Sequence, residues 1–273
     1  MKISLPILDN QVPKTISFSS RSNFEQCSYY YLLVDILRLK PWKNSPDTLF
    51  GTYIHSAVQD VISEKSTVED ASKLFSRKWK IFSKLYRKFL NKDDLEISPA
   101  GRKIIEQVIP ALKKEFGNFK VLAIEERLEM PVEGFSQKFK GFIDAVLEAE
   151  DGRIIIVDFK TSGSAFSFSK FKDKFKDYQL TLYKFYYADK YKIDPDKIET
   201  YFVVLEKNLN SKIPVVPIRV TSGKIKIKNA IEWLKFALNA INKKKFYRNR
   251  SACLKYGEGH PCVFMNTYCK KST

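Results

Sequence analysis

No stretch of the sequence approaches the ~20 consecutive apolar residues that a bilayer-crossing helix needs, so a helical membrane protein is not expected. The first residues, MKISLPILDNQVPK, lack the apolar core and cleavage site of a secretory signal. Internal repeats and low-complexity linkers are also missing. Histidine is scarce, with two in 273 residues, and so is cysteine, with four. Without a secretion signal those thiols are expected to stay reduced or to bind metal, which points to the cytoplasm, a host's if the chain is phage-encoded. Acidic residues are outnumbered, 31 against 48 Lys and Arg, leaving a net charge of +17. Such a surplus speeds encounters with polyanions and makes nucleic acid a leading partner, although a Lys-rich surface can also serve solubility alone.

What is present excludes wholesale disorder: 44% of residues are hydrophobic and 14% aromatic. The first part reads as helices. Ser19, Ser20 and Ser22 offer caps for a segment with Phe24, Cys27, Tyr31 and Val34 at helical spacing. A second helix starts near Asp47 with Phe50, Ile54, Val58 and Val61 as its stripe, a third covers Thr67 to Leu90, and Ser98-Pro99 opens a fourth in which Pro110 is a candidate kink. From Phe119 the texture turns to strands: Val121–Val132, Lys138–Leu147, and Arg153–Lys160, whose continuous apolar run suits a strand covered on both faces. Lys174–Lys190 reads as a helix, Tyr201–Leu205 and Ile213–Val220 as strands, and Lys226–Lys245 as a last helix. The expectation is one α/β domain over 1–273: a mainly helical part over 1–117, a sheet core over 118–221, and a helix with a cysteine-bearing tail over 222–273.

The informative segment is GFIDAVLEAEDGRIIIVDFK, residues 141–160. A three-residue loop, Glu150-Asp151-Gly152, with Gly152 at positive φ, sets Asp144 opposite Asp158 on one face of an antiparallel pair. Lys160 shares that face by strand periodicity. A two-residue turn at Asp151-Gly152 would instead set Asp144 opposite Phe159. Two carboxylates can hold a hard dication such as Mg²⁺ while leaving positions for water and phosphate, and a lysine beside them can orient the water or offset developing charge. Gly51 and His55 lie one helical turn apart; His55 is a candidate ligand for Mn²⁺, or an ordinary hydrogen-bonded helix histidine. Gln179 and Tyr183 form a similar i, i+4 pair, read equally as site residues or as an amphipathic face.

In order, GTYIH (51–55), IEE (124–126), GFID (141–144), VDFK (157–160) and QLTLY (179–183) resemble the PD-(D/E)XK nuclease superfamily in its RecB-like exonuclease branch, including the CRISPR adaptation-associated four-cysteine nucleases and their phage relatives. The proline of the superfamily's name is replaced by Ile143. The resemblance implies a restriction-endonuclease-like core, a central mixed β-sheet flanked by helices, with an N-terminal helical part. It implies Mg²⁺ or Mn²⁺ held by His55, Asp144, Asp158 and the backbone carbonyl of Phe159, with Lys160 as the catalytic lysine. Gln179 and Tyr183 would support the site or guide the substrate, together with an acidic residue, Glu125 or Glu126. Relatives of this type hold a 4Fe–4S cluster with one cysteine before the core and three after it, the distribution of Cys27, Cys253, Cys262 and Cys269. The spacing here, C-x8-C-x6-C, is wider than the C-x2-C-x5-C of those relatives, and Ser28 follows Cys27 where a proline is usual. Thiolates suit iron–sulfur clusters and zinc alike, and His260 is a further candidate zinc ligand.

Two runs, KFKDKFKDY (170–178) and KKKFYRNR (243–250), interleave charge with aromatic rings. Lys170, Lys172, Lys174, Lys243, Lys244, Lys245 and Arg248 are therefore candidates to track a single-stranded backbone while rings stack on bases, although charge runs are also common on solvated faces. The expected activity is metal-dependent DNA hydrolysis, exonucleolytic by the family branch, on single strands or ends in recombination, repair or phage DNA processing. A structure-specific endonuclease on the same core and a non-catalytic DNA-binding recombination factor are the rivals.

Overall fold

The computed structural model describes residues 12–39, 46–87, 97–163, 175–254 and 262–269. The described residues fall into two compact units, one within Met1–Trp42, Glu129–Gly141 and Lys228–Thr273, the other within Lys43–Leu128 and Phe142–Ile227.

The second unit carries a mixed sheet with helices on it. Helices α3 (Pro46–Ile62), α4 (Val68–Leu85) and α5 (Ser98–Phe116) precede the strands. Thr67 caps α4 by accepting the Asp70 N–H, and Gly117 closes α5 at φ 75°. Pro110 sits on the exposed side of α5, which runs through it. A Cβ at Gly101 would meet the Phe75 ring at 2.2 Å, so glycine is what lets α4 and α5 approach. Strands β2 (Phe119–Pro131) and β3 (Lys138–Ala149) are joined by a turn in which Gly134 takes φ 80°. Strands β4 (Ile154–Ser162), β5 (Ile198–Glu206) and β6 (Val215–Arg219) follow, in the order β3–β4–β5–β6, with β2 also pairing β3. The β3–β4 and β5–β6 pairs are antiparallel and β4–β5 is parallel, the crossover being helix α6 (Asp177–Tyr191).

Alternate residues Ala145 and Leu147 of β3, Ile155, Val157 and Phe159 of β4, and Val203 and Leu205 of β5 pack with Phe50, Ile54, Val58, Trp79 and Ile104 of the three helices. Parity sends Asp158 and Lys160 to the other face, against which α6 packs. β4 is buried from Ile154 to Phe159, as its unbroken apolar run requires of a central strand.

In the first unit, β1 (Thr15–Ile16) pairs in parallel with the start of β3. Helix α1 (Phe18–Gln26) is capped by Ser17 and Ser20 in a reciprocal box, not by the serines at 19 and 22. The single helix expected through Cys27 is interrupted there. Cys27 is extended at φ −160°, and a short α2 (Ser28–Tyr31) runs into a π-helical turn, Leu32–Ile36. Arg21 is almost wholly buried, its guanidinium 4.0 Å from the Trp233 ring centroid and donating to Trp233 O and Glu25. Trp233 belongs to the last helix, α7 (Lys224–Asn242), which ends three residues before the expected Lys245. No helix among the described residues is long and apolar enough to cross a membrane.

Candidate active site

The turn after β3 sets the site. Gly152 takes φ 79°, and Ala149 N–H donates to Arg153 O across a three-residue loop. The paired positions Ala145↔Val157 through Glu148↔Ile154 fix the register, and the next pair along is Asp144 with Asp158. Beyond the ladder the Phe159 N–H turns to the Asp144 Oδ2 at 2.6 Å. A strand residue directs its N–H and C=O to the same edge, so the Phe159 carbonyl also faces this gap.

Lys160 Nζ stands 2.6 Å from Asp158 Oδ2. That oxygen is buried, and the lysine's charge is what offsets its desolvation. The other oxygen, Oδ1, accepts from Gln179 Nε2 at 2.8 Å, and the same amide reaches the Tyr183 hydroxyl at 3.2 Å. Helix α6 thus orients Asp158 from outside. From α3, His55 Nδ1 comes 3.7 Å from Asp144 Oδ2, its ring edge-on to Phe159. At Gly51 an added Cβ would stand an ordinary 3.5 Å from Thr161 Oγ1, so the protein's own packing does not demand the glycine.

Burial and the neighbouring Asp158 charge hold the Asp144 carboxyl well above the usual range, against the pull of Lys160 and the Phe159 N–H. Burial also raises Asp158, with Lys160 opposing. His55 is pushed down to about 4, first by burial and then by Lys160, so at neutral pH it is an uncharged imidazole fit to ligate.

The acidic residues of β2 diverge. Glu126 faces Lys190 and Tyr191, with 2.5 Å contacts to each. Glu125 instead meets Gln59 Nε2 at 2.6 Å, and its charge is felt at both aspartates. Gln59 was missed by the sequence reading; its one signal is a polar side chain one turn beyond His55, at the margin of an apolar stripe.

The sequence profile of the PD-(D/E)XK nuclease superfamily matches residues 15–264. This chain belongs to that superfamily. The superfamily member is 27% identical, over 164 residues, to a component of the ATP-dependent helicase/deoxyribonuclease of Streptococcus agalactiae serotypes Ia, V and III. The match covers 58% of this chain and 15% of those much longer proteins. A crystal structure of a candidate exonuclease from Eubacterium rectale aligns with 97% of this chain and 98% of its own, at a TM-score of 0.57 and 14% identity; it bears on the fold alone.

Among the described residues, no three His, Cys, Asp or Glu side chains stand at metal-ligating spacing. The donors nevertheless suit a hard dication: two desolvated carboxylates, the charge of Asp158 bearing on Asp144, and a neutral imidazole beside Asp144.

The cysteines gather in the first unit. Cys27, Cys253 and Cys262 are buried in one apolar cluster with Tyr30, Leu33 and Phe264, and Cys269 packs against it. The four are free thiols. Burial raises Cys262 and pushes Cys269 up to about 11, with the other thiols adding to both. Asn249 N–H donates to Cys27 Sγ at 3.4 Å, and the Phe264 and Met265 amides favour the Cys262 thiolate. Backbone donors aimed at sulfur suit a thiolate-ligated metal. His260 lies outside the described residues, as do Lys170, Lys172 and Lys174. Lys243, Lys244 and Lys245 are exposed. Arg248 is partly committed within the protein: it lies over the Tyr29 ring at 4.7 Å and donates to Tyr268 O.

Proposed function

We propose that this chain is a Mg²⁺- or Mn²⁺-dependent deoxyribonuclease that hydrolyses phosphodiester bonds, acting as an exonuclease on single-stranded DNA or DNA ends. The observation that carries this reading is the facing pair Asp144 and Asp158, with Lys160 2.6 Å from one and His55 3.7 Å from the other. His55, Asp144, Asp158 and the Phe159 carbonyl would hold the metal, which when bound acidifies water and offsets phosphate charge. Gln179 fixes the Asp158 orientation, and its link to Tyr183 keeps that amide from turning away. Lys160 supplies a fixed positive charge where the phosphate's negative charge develops. The apolar packing of β4 keeps water from the far side of the carboxylates.

The +17 charge favours a polyanionic substrate, and the exposed Lys243–Lys245 run would add phosphate contacts. The four-thiol cluster is read as a 4Fe–4S site, with zinc as the alternative. Placement in recombination, repair or phage DNA processing, and in the cytoplasm, follows the same reading.

Linear and circular DNA, single- and double-stranded, incubated with Mg²⁺ or Mn²⁺, provide the test. Loss of linear strands with circles intact is the expected result. Cut circles would favour the endonuclease. Full activity in Asp158→Ala, or no metal-dependent loss of any DNA, would overturn the proposal.

A further inference from the structure

We propose that Gln59 is a positioning residue of the metal centre, tying the Glu125 carboxylate and the Asp144 backbone to the helix that carries His55. This deepens the metal-nuclease reading and rests on it. Three observations meet at this side chain. Gln59 is more than nine-tenths buried on α3, and it follows His55 by one helical turn. Its single amide nitrogen donates to Glu125 Oε1 at 2.6 Å and reaches the Asp144 backbone carbonyl at 3.3 Å. One buried group therefore links the helix of His55, the strand of Glu125 and the strand of Asp144.

The third observation is the backbone of Glu125. Its φ is 53°, a left-handed conformation that residues with a Cβ adopt rarely, and it falls in the middle of β2. The alternation of half-buried and exposed residues along β2 slips by one immediately before it, at Ala123 and Ile124. An added residue with αL geometry is the mark of a β-bulge, and bulges re-aim side chains. Without the slip, strand parity would put Glu125 and Glu126 on opposite alternate faces from those they occupy. With it, Glu126 goes to Lys190 and Glu125 to Gln59. A strained backbone at Glu125, with a buried amide holding the carboxylate that it turns, is an arrangement suited to placing that carboxylate.

The role makes a specific demand. If Gln59 acts through Glu125, removing its amide should matter only while Glu125 is charged and in place. Gln59→Met keeps the length and apolar packing of the side chain but removes the donor. Glu125→Gln keeps the shape but removes the carboxylate charge. Mn²⁺ affinity, read by calorimetry or by electron paramagnetic resonance of free Mn²⁺, is independent of DNA cleavage. Each single variant is expected to weaken Mn²⁺ binding about 10–100-fold, the usual cost of losing a group that orients ligands. The double variant is expected to bind within about threefold of Glu125→Gln alone, because interacting residues are not additive. Circular dichroism checks the fold; if Gln59→Met is unfolded, Gln59→Asn, too short to reach Glu125, enters the same cycle.

Wild-type affinity in the Gln59 variant would overturn the proposal, as would losses that simply multiply in the double variant. Both results leave the metal-nuclease reading standing. Failure of the wild-type protein to bind Mn²⁺ at all would sink that reading and the role of Gln59 with it.

Discussion

The protein gathers ionisable groups in two ways, carboxylates on the sheet of one unit and thiols on the turns of the other. Asp144, Asp158 and Lys160 are held by strand register, so one turn geometry at Glu150–Gly152 fixes their relation. Cys253, Cys262 and Cys269 lie outside helices and strands, joined by short backbone bonds such as Cys262 N–H to Cys253 O, and Cys27 sits at the break between α1 and α2. Both sets are desolvated, and in both burial raises the pKa of an acidic group. The difference lies in what holds them. The aspartates are backed by the large core of Phe50, Trp79, Ile104 and Val203; the thiols are themselves much of their small cluster. A site on regular strands has its geometry set by register, whereas the thiols on turns would, on the cluster reading proposed above, owe theirs to a bound metal.

The sharpest break of this comparison is a pair of variants. Lys160→Met should lower kcat about 10²–10³-fold, the loss typical of a removed electrostatic donor, with little change in Tm. On the cluster reading proposed above, Cys27→Ser should act in the opposite sense, lowering the iron or zinc content and Tm. Metal analysis of anaerobically purified protein, thermal melts and single-turnover cleavage would be measured on both. An equal kcat loss in both variants, well below either melting transition, would abolish the division of labour.

A smaller effect separates the two clusters by pH. The Asp144 pKa is raised in the fold, by burial first and Asp158 second, above an unfolded value near 3.8. Its contribution to stability is thus fully present below pH 3.8 and is lost as pH rises through the raised value. Asp144→Asn carries no such loss and keeps an oxygen for the Phe159 N–H. The metal-free variant should therefore melt higher than metal-free wild type at pH 7, by about 2–4 °C for each kcal/mol relieved, and the two should converge near pH 3. Added Mg²⁺ should raise wild type far more than the variant. A variant that melts lower than wild type at pH 7 without metal would show that Asp144 is a structural carboxylate.

The same contrast explains what could be read from sequence. The Asp144–Asp158 pairing was legible up to a choice between two turns, and the three-residue loop with Gly152 at positive φ decides it. Most helices were legible too, since Phe50, Ile54 and Val58, or Ile104, Ile105 and Val108, repeat at helical spacing. The break at Cys27 was not. Phe24, Cys27 and Tyr31 keep a helical period across it, and the extended Cys27 answers to contacts with Tyr247 and Asn249, more than two hundred residues away. The two-residue β1 pairs with a strand start over a hundred residues downstream, and no local pattern announces so short an element. Glu125 and Glu126 were equivalent in sequence because what separates them is the backbone at Glu125, with its φ of 53°, and a side-chain bond to Gln59 on another element.

The smallest expected effect concerns the lysine runs, and it asks whether the thiol-bearing unit takes part in holding DNA. Each phosphate neutralised on a single strand releases counterions, so the slope of log K against log salt steepens by about 0.7 per contact. Lys243, Lys244 and Lys245 are exposed in the described structure, and replacing all three with Gln removes at most three such contacts. If this run binds the strand, the slope should shrink by about 2, with kcat at saturating DNA unchanged. The matching triple replacement of Lys170, Lys172 and Lys174, which fall between β4 and α6 in sequence, tests the other run. Reduced slopes in both variants would mean the substrate is held by both units. A reduced slope in the second alone would confine DNA to the unit of the carboxylates and leave Lys243–Lys245 as solvated charge.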